Sequence, residues 1–118
     1  MGNLSKNFSI SEFTCPCCGK AVIKMELVRG LQELRDLADR PIRITSGYRC
    51  EKHNAAVGGE KNSLHLEGKA ADIVIEGLTV QEMAELAEKV EVFRDGGIGV
   101  YPKEGYIHVD IRKERTRW

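Results

Sequence analysis

The segment that most constrains the fold is the alternating run at residues 106–111, near the C-terminal end. Its aliphatic residues recur at every second position, so in a β-strand they share one face while His108 and Asp110 share the other. Neither of these polar types is often buried unless it is paired. The run therefore predicts a strand with one face in a core and a polar site on the other. A surface His–Asp pair on an exposed sheet face stays open as the alternative.

The rest of the chain predicts an α+β fold. Apolar residues at helical spacing predict a helix over 24–38, which ends before Pro41. A capping box at Thr79 and Glu82 begins a second helix, whose apolar stripe extends to Val90. Strands are predicted at 41–45, 70–75, 98–101 and 106–112, with a hairpin through 102–105. This order predicts an antiparallel sheet with flanking helices. The glycine- and asparagine-rich stretch 46–62 predicts a long functional loop with room for one short helical turn.

Length and charge exclude several classes of protein. The chain has 118 residues, the size of one domain, so residues 1–118 are expected to form a single unit. Lys+Arg and Asp+Glu both number 18, and this balance argues against a nucleic-acid partner. We expect no membrane span. The first residues lack an apolar signal region, so synthesis in the cytoplasm without a signal peptide is expected. Nothing indicates an oligomer, and a monomer is the default expectation.

Two further residues are candidates for metal binding. Asp72 lies in an apolar strand, where a carboxylate is costly unless it is paired or binds a metal. His65 lies at the end of the long loop. Together with His108 they make the two-histidine, one-carboxylate composition of many catalytic zinc sites, which keep a fourth position open. The alternative for Asp72 is a carboxylate bonded to backbone amides.

Several motifs together resemble the M15 family of zinc D-Ala-D-Ala peptidases, in particular its short branch of bacterial murein peptidases and phage lysis enzymes. The resemblance covers residues 42–118. It rests on Ser46-Gly47-Tyr48-Arg49, Asn54, Val57-Gly58-Gly59, Asn62-Ser63-x-His65-x-x-Gly68-x-Ala70-x-Asp72, Gly97-x-Gly99-x-Tyr101-Pro102 and His108-Val109-Asp110.

The resemblance implies a fold and a set of roles. The fold is that of the D-Ala-D-Ala peptidases and the hedgehog signalling domain, an antiparallel sheet with flanking helices. His65, Asp72 and His108 would be the zinc ligands. Arg49 would contact the substrate or polarise its carbonyl, a task suited to a permanently charged fork of donors. Ser63 would hydrogen-bond the substrate or a ligand.

One position departs from the family pattern and leaves the general base open. Many members have a catalytic Glu three residues before the last histidine ligand, where this chain has Gly105. Asp110 is the first candidate for the base, because it shares a strand face with His108, but it could instead orient His108. Glu104 is the second candidate. A third possibility is a metal-bound water assisted by Arg49 and the backbone alone.

A cysteine-containing segment at about 13–20 is the remaining feature. Cys15 and Cys18 have Cys-x-x-Cys spacing, and Cys50 with His53 has Cys-x-x-His spacing. These residues could bind a second, structural zinc ion. They could instead form a disulfide between Cys50 and Cys15 or Cys18, or remain free thiols.

The leading hypothesis is a zinc peptidase, of carboxypeptidase or endopeptidase type, that hydrolyses peptidoglycan stem peptides or cross-links. It would act on the cell wall after release or as part of a virion, as phage endolysins do. The first alternative is a non-catalytic zinc-containing module that binds the cell wall on the same fold. The second, a nucleic-acid-binding zinc module, has little support from a neutral chain with few aromatic residues.

Overall fold

A computed structural model describes residues 4–59 and 63–118, so residues 60–62 of the predicted loop lie outside the described part. The strands are β1 (Ile42–Ser46), β2 (Ala70–Ile75), β3 (Gly97–Tyr101), β4 (Tyr106–Asp110) and β5 (Thr116–Arg117). The α-helices are α1 (Met25–Ala38), α2 (Glu51–Ala56), α3 (Val80–Ala87) and α4 (Glu91–Arg94). Two 3-10 helices cover Ile10–Phe13 and Leu64–Glu67.

The strands form one sheet in the order β1-β2-β4-β3-β5. The first four pair antiparallel, while the short β5 pairs parallel to β3 and was not predicted. Within this register Asp72 lies opposite His108, which in turn lies opposite Gly99 on its other side. The prediction of an α+β fold, with an antiparallel sheet flanked by helices as in the hedgehog and D-Ala-D-Ala peptidase fold, is confirmed.

The two faces of the sheet differ in chemistry because successive side chains alternate between them. Ile73 of β2 with Ile107 and Val109 of β4 joins a buried core that also contains Leu31 of α1 and Met83 of α3. The residues between them point the opposite way and include Asp72 and His108. The core therefore fixes one face of the sheet and leaves the other to carry a polar site.

One predicted helix differs from the observed one. The second predicted helix ends at Ala87, and Val90 lies directly before the separate helix α4 instead of continuing the stripe. Val90 is nevertheless fully buried in the core, so its apolar character reports packing and not helical continuity. The long loop does contain a helical turn, which is α2. None of the helices in the described ranges is long and apolar enough to cross a membrane.

Candidate metal centre

The polar face of the sheet brings together the three predicted metal ligands. Asp72 and His108 come from the neighbouring central strands β2 and β4. His65 comes from the 3-10 helix at Leu64–Glu67, whose first turn is capped because the hydroxyl of Ser63 accepts the N–H of His65 at 3.2 Å. Gly68 ends that helix with a φ of 71°, a left-handed conformation suited to glycine. All three ligand residues are buried.

The potential ligand atoms converge on one point. Oδ1 of Asp72 lies 3.0 Å from Nδ1 of His108 and 3.3 Å from Nε2 of His65. One ligand atom from each of the three residues lies within 4.8 Å of the others. A tetrahedral zinc ion with bonds of about 2.0–2.1 Å separates its ligand atoms by about 3.4 Å. The spacing of this group is therefore suited to a small cation at its centre.

Outer hydrogen bonds orient both imidazole rings. Nδ1 of His65 lies 2.7 Å from the carbonyl oxygen of Gly47, which can only accept, so Nδ1 carries the proton and Nε2 presents its lone pair. Nε2 of His65 is the only buried side-chain nitrogen or oxygen in the described residues with no hydrogen-bond partner. The other ring is fixed in the same way, because Nε2 of His108 lies 2.7 Å from Oδ2 of Asp110.

In the neutral tautomers that these bonds favour, both histidines direct a lone pair at a carboxylate oxygen. Three acceptors facing one another repel unless a proton or a cation lies between them. Burial acts against the protonated form of His108, but its bonds to Asp110 and Asp72 outweigh this and raise its pKa. Burial also acts against the carboxylate of Asp72, yet both histidines hold its pKa well below the usual range. The site thus favours an anionic Asp72 and positive charge beside it.

Asp110 is fully buried, and its carboxylate is occupied by several partners. Oδ1 accepts the backbone N–H of Gly97 at 3.0 Å and that of Arg112 at 3.1 Å. The guanidinium of Arg112 donates to both oxygens, with Nη2 2.8 Å from Oδ2. Burial would raise the pKa of Asp110, but the bonds from His108 and Arg112 lower it well below its usual range. The side chain lies behind His108, and it does not line the cleft that Asp72 lines.

Arg49 braces the opposite side of Asp72. Its Nη2 donates to Oδ2 of Asp72 at 3.2 Å, its Nη1 to Asn54 at 3.2 Å and its Nε to Ser46 at 3.1 Å. Its backbone N–H also bonds the carbonyl oxygen of His65 at 3.1 Å. The side chain is 14% exposed, and it lines the same cleft as His65, Asp72 and His108. The arginine predicted to contact the substrate therefore lies beside the three candidate metal ligands.

The cluster formed by His65, Asp72 and His108 opens into a cleft of about 810 Å³. One wall is aromatic: the rings of Tyr101 and Tyr106 stack with centroids 4.7 Å apart, and Trp118 donates its Nε1–H to the hydroxyl of Tyr101 at 2.7 Å. The Trp118 ring also lies 5.0 Å from that of His108 and 5.1 Å from the guanidinium of Arg112. The sequence did not predict Arg112 or Trp118 at the site. Tyr106 could have been found, because it lies two positions before His108 and therefore shares its face of the strand.

The other predicted site residues have different positions. Ser63 lines the cleft and caps the helix that carries His65. Glu104 is exposed in the β3–β4 turn and does not line the cleft. Gly105 has a φ of 77° in that turn, where a glutamate side chain would require a strained backbone. Among the residues that line the cleft in the described ranges, Asp72 is the only acidic one.

The cysteine cluster lies apart from this cleft. Cys15 is buried and its Sγ is 3.6 Å from that of Cys50, while Cys17 and Cys18 are exposed. Burial acts against the thiolate of Cys15, but several N–H donors outweigh it and lower its pKa to about 7. His53 contributes its backbone N–H to Sγ of Cys50 at 3.5 Å.

Comparison with known proteins gives consistent results. Residues 6–110 match the family described as Peptidase M15. The chain is 38% identical over 85 residues to a probable peptidoglycan L,D-endopeptidase MepK of Haemophilus influenzae, covering 68% of this chain and 44% of the relative. It is 33% identical over 81 residues to the peptidoglycan L,D-endopeptidase MepK of Escherichia coli, covering 64% of this chain and 43% of the relative. The chain thus spans less than half the length of these curated relatives.

Proposed function

Since the chain belongs to the M15 peptidase family, we propose that it is a zinc metallopeptidase that hydrolyses peptide bonds in peptidoglycan stem peptides or cross-links. His65, Asp72 and His108 would hold the metal. The substrate class is supported by the MepK relatives, which are named as peptidoglycan L,D-endopeptidases. An endopeptidase is therefore the better supported of the two predicted peptidase types.

The observation that carries the proposal is the convergence of Nδ1 of His108 and Nε2 of His65 on Oδ1 of Asp72, at 3.0 and 3.3 Å. The outward nitrogen of each ring is already bonded, and the buried Nε2 of His65 has no hydrogen-bond partner, so the two inward nitrogens and the carboxylate are arranged as ligands of a divalent cation would be. Nitrogen and oxygen ligands with one side left open are typical of catalytic zinc sites, whereas closed sets of thiolates are typical of structural ones. The residues present therefore fit zinc.

When bound, zinc would supply Lewis acidity and a bound water of lowered pKa. The chain's own residues would position the substrate beside it. A guanidinium has five N–H donors, and the three bonds made by Arg49 leave two for a substrate carbonyl or carboxylate. The stacked Tyr101 and Tyr106 would provide an apolar wall for the substrate.

We propose that Asp110 positions His108 and does not act on the substrate. Its oxygens are held by Arg112, Gly97 and His108, and it is fully buried. A general base must reach the proton that it removes, directly or through one water. This geometry favours the orienting role among those predicted for Asp110, and the exposed Glu104 does not line the cleft either.

The lack of a positioned general base also supports the alternative of a non-catalytic module that binds the cell wall. With Gly105 in place of the family's usual Glu, the cleft has no carboxylate beyond Asp72 among the described residues. A zinc-containing cleft of this kind could bind a stem peptide without cleaving it. Turnover and binding must therefore be measured separately.

The decisive experiment is digestion of purified murein by the zinc-loaded protein, followed by mass analysis of the released fragments. We expect new peptide termini from the wild type, none from Asp72→Asn or His108→Ala, and an unchanged yield from Asp95→Asn. Asp95 is an exposed aspartate that pairs with Arg94 and does not line the cleft, which makes it a matched control.

The binding of murein to the wild type and to each variant is measured on the same samples. If the wild type, with zinc fully bound, binds murein but releases no new termini, the alternative module replaces the peptidase. Removal of zinc by a chelator should abolish cleavage, and added zinc should restore it.

A further inference from the structure

Three of the four cysteines lie together outside the cleft, and one of them, Cys50, directly follows Arg49. The sulfur atoms of Cys15, Cys18 and Cys50 all lie within 4.8 Å of one another. Cys15 and Cys18 belong to one tight turn, and Cys50 caps the N-terminus of α2. None of this cluster is needed for the proposed hydrolysis.

Backbone amides of both segments are directed at the sulfur atoms. The turn is closed because Cys15 donates its N–H to Lys20 at 2.8 Å and accepts that of Gly19 at 2.9 Å. Sγ of Cys15 accepts the N–H of Cys50 at 3.5 Å and also those of Cys17 and Cys18. Such N–H bonds stabilise sulfur as thiolate, which is the form that binds metals.

The sulfur spacing matches a metal site better than a disulfide. Sγ of Cys15 and Sγ of Cys50 are 3.6 Å apart. Two thiolates on a tetrahedral zinc ion, each with a bond of about 2.3 Å, lie about 3.8 Å apart, whereas a disulfide bond is about 2.05 Å long. A zinc site requires further ligands such as the sulfur of Cys18, whereas a disulfide between Cys15 and Cys50 leaves that third sulfur without a role.

We propose that Cys15, Cys18 and Cys50 bind a second, structural zinc ion, distinct from the one in the cleft. Thiolates select soft or borderline metals, and zinc is the usual occupant of such tetrahedral sites. The candidates for the fourth ligand are Cys17, which is adjacent to Cys18 in the chain, and His53, whose backbone N–H bonds Sγ of Cys50.

The position of this site gives it a second role. Cys50 directly follows Arg49, and it caps the helix whose Asn54 accepts a bond from the Arg49 guanidinium. On the other segment, the carbonyl of Phe13 accepts the N–H of Tyr48 at 2.9 Å. A metal that joins Cys15 to Cys50 therefore clamps both sides of the segment that presents Arg49 to the cleft.

The test is metal content and thiol content of the purified full chain. We expect two zinc ions per chain for the wild type, one for Cys50→Ser, one for His108→Ala and none for the double variant. Cys18→Ser, at an exposed position, is the second variant in case Cys50→Ser does not fold. With cobalt in place of zinc, thiolate-to-metal absorption should persist in His108→Ala and disappear in Cys50→Ser.

Two results would overturn the proposal. One is a single zinc ion per chain together with two titratable thiols in the denatured protein, which shows a disulfide. The other is four free thiols in the denatured protein together with no thiolate-to-metal absorption in the cobalt-loaded wild type, which shows packed thiols. Loss of the second zinc in Cys17→Ser or in His53→Ala would support the proposal and identify the fourth ligand. The cobalt spectrum does not depend on turnover, so failure of the proposed hydrolysis leaves this test intact.

Discussion

Nε2 of His108 lies 2.7 Å from Oδ2 of Asp110, and the ring therefore presents Nδ1, not Nε2, to Asp72. The carboxylate is itself immobilised by Arg112 and by the N–H of Gly97. A charged acceptor behind a histidine fixes both its tautomer and its rotation. Asp110 would therefore orient a metal ligand without contact with the substrate.

Asp110→Asn should weaken zinc binding more than it slows a zinc-loaded enzyme. An amide can donate to Nε2, which favours the tautomer with the proton on Nδ1, where the metal would bind. Loss of such outer partners typically lowers metal affinity by about 10- to 100-fold. The measurement is competition with a chelator of known affinity. Unchanged affinity with a large fall in kcat at saturating zinc would instead make Asp110 the general base.

Arg49→Lys should impair activity although it keeps the charge. An ammonium cannot bond Ser46, Asn54 and Asp72 together in the planar geometry of a guanidinium. Loss of one charge-assisted bond costs about 1.5–3 kcal/mol, which is about 10- to 100-fold in kcat/KM. Murein digestion rates measure this effect. Arg43→Lys, at an exposed position on β1, is the control and should leave the rate unchanged.

Gly68→Ala should destabilise the protein and loosen His65. Gly68 has a φ of 71°, and a Cβ there would overlap the carbonyl oxygen of Val22. The left-handed backbone and the overlap together should lower the free energy of unfolding by about 2 kcal/mol or more. Urea denaturation measures the loss.

Gly105→Ala is the matched control for this glycine. It has a φ of 77°, but a Cβ there would have no atom within 4 Å. Only the conformational cost of about 1–2 kcal/mol applies. Equal losses in the two variants would show that the contact with Val22 does not matter.

Glu88→Gln should lower stability in a pH-dependent way. Bonds from Arg117 hold the pKa of Glu88 below its ordinary value, against a smaller opposing effect of burial. A depressed pKa stabilises the fold above the unfolded-state value of about 4.3, and this stabilisation is lost as the pH falls through the folded-state pKa. Because the side chain is 36% exposed, solvent screening limits the effect at neutral pH to about 1 kcal/mol or less.

The measurement is urea unfolding of both proteins at neutral and acid pH. The difference between them should vanish below the folded-state pKa of Glu88. Glu85→Gln, at an exposed position on α3, which ends just before Glu88, is the control. A difference that grows toward acid pH would contradict the assignment.

Strand alternation singled out His108, and the cost of a carboxylate in an apolar strand singled out Asp72; the structure places the two side chains opposite each other. His65 depended on the family resemblance, since a one-turn 3-10 helix has no periodicity to detect. The contact of Trp118 with His108 was not predictable from local pattern. It depends on the parallel return of β5 along β3, a long-range pairing of two residues.

The apolar stripe that extends to Val90 also shows that local sequence pattern does not determine how elements pack. Apolar spacing predicts burial, and Val90 is buried. The spacing does not show whether one helix or two carry the stripe, because the break after Ala87 is set by packing of α4 against the rest of the core.

The register that places Asp72 opposite His108 also bears on how fast a bound ion could leave. Both residues belong to the central strands of the sheet, which open only when much of the structure unfolds. His65 belongs to a one-turn helix at the edge of the cleft and can detach at lower cost. Metal exchange would therefore proceed by release of His65 first, with Asp72 and His108 as the slow partners.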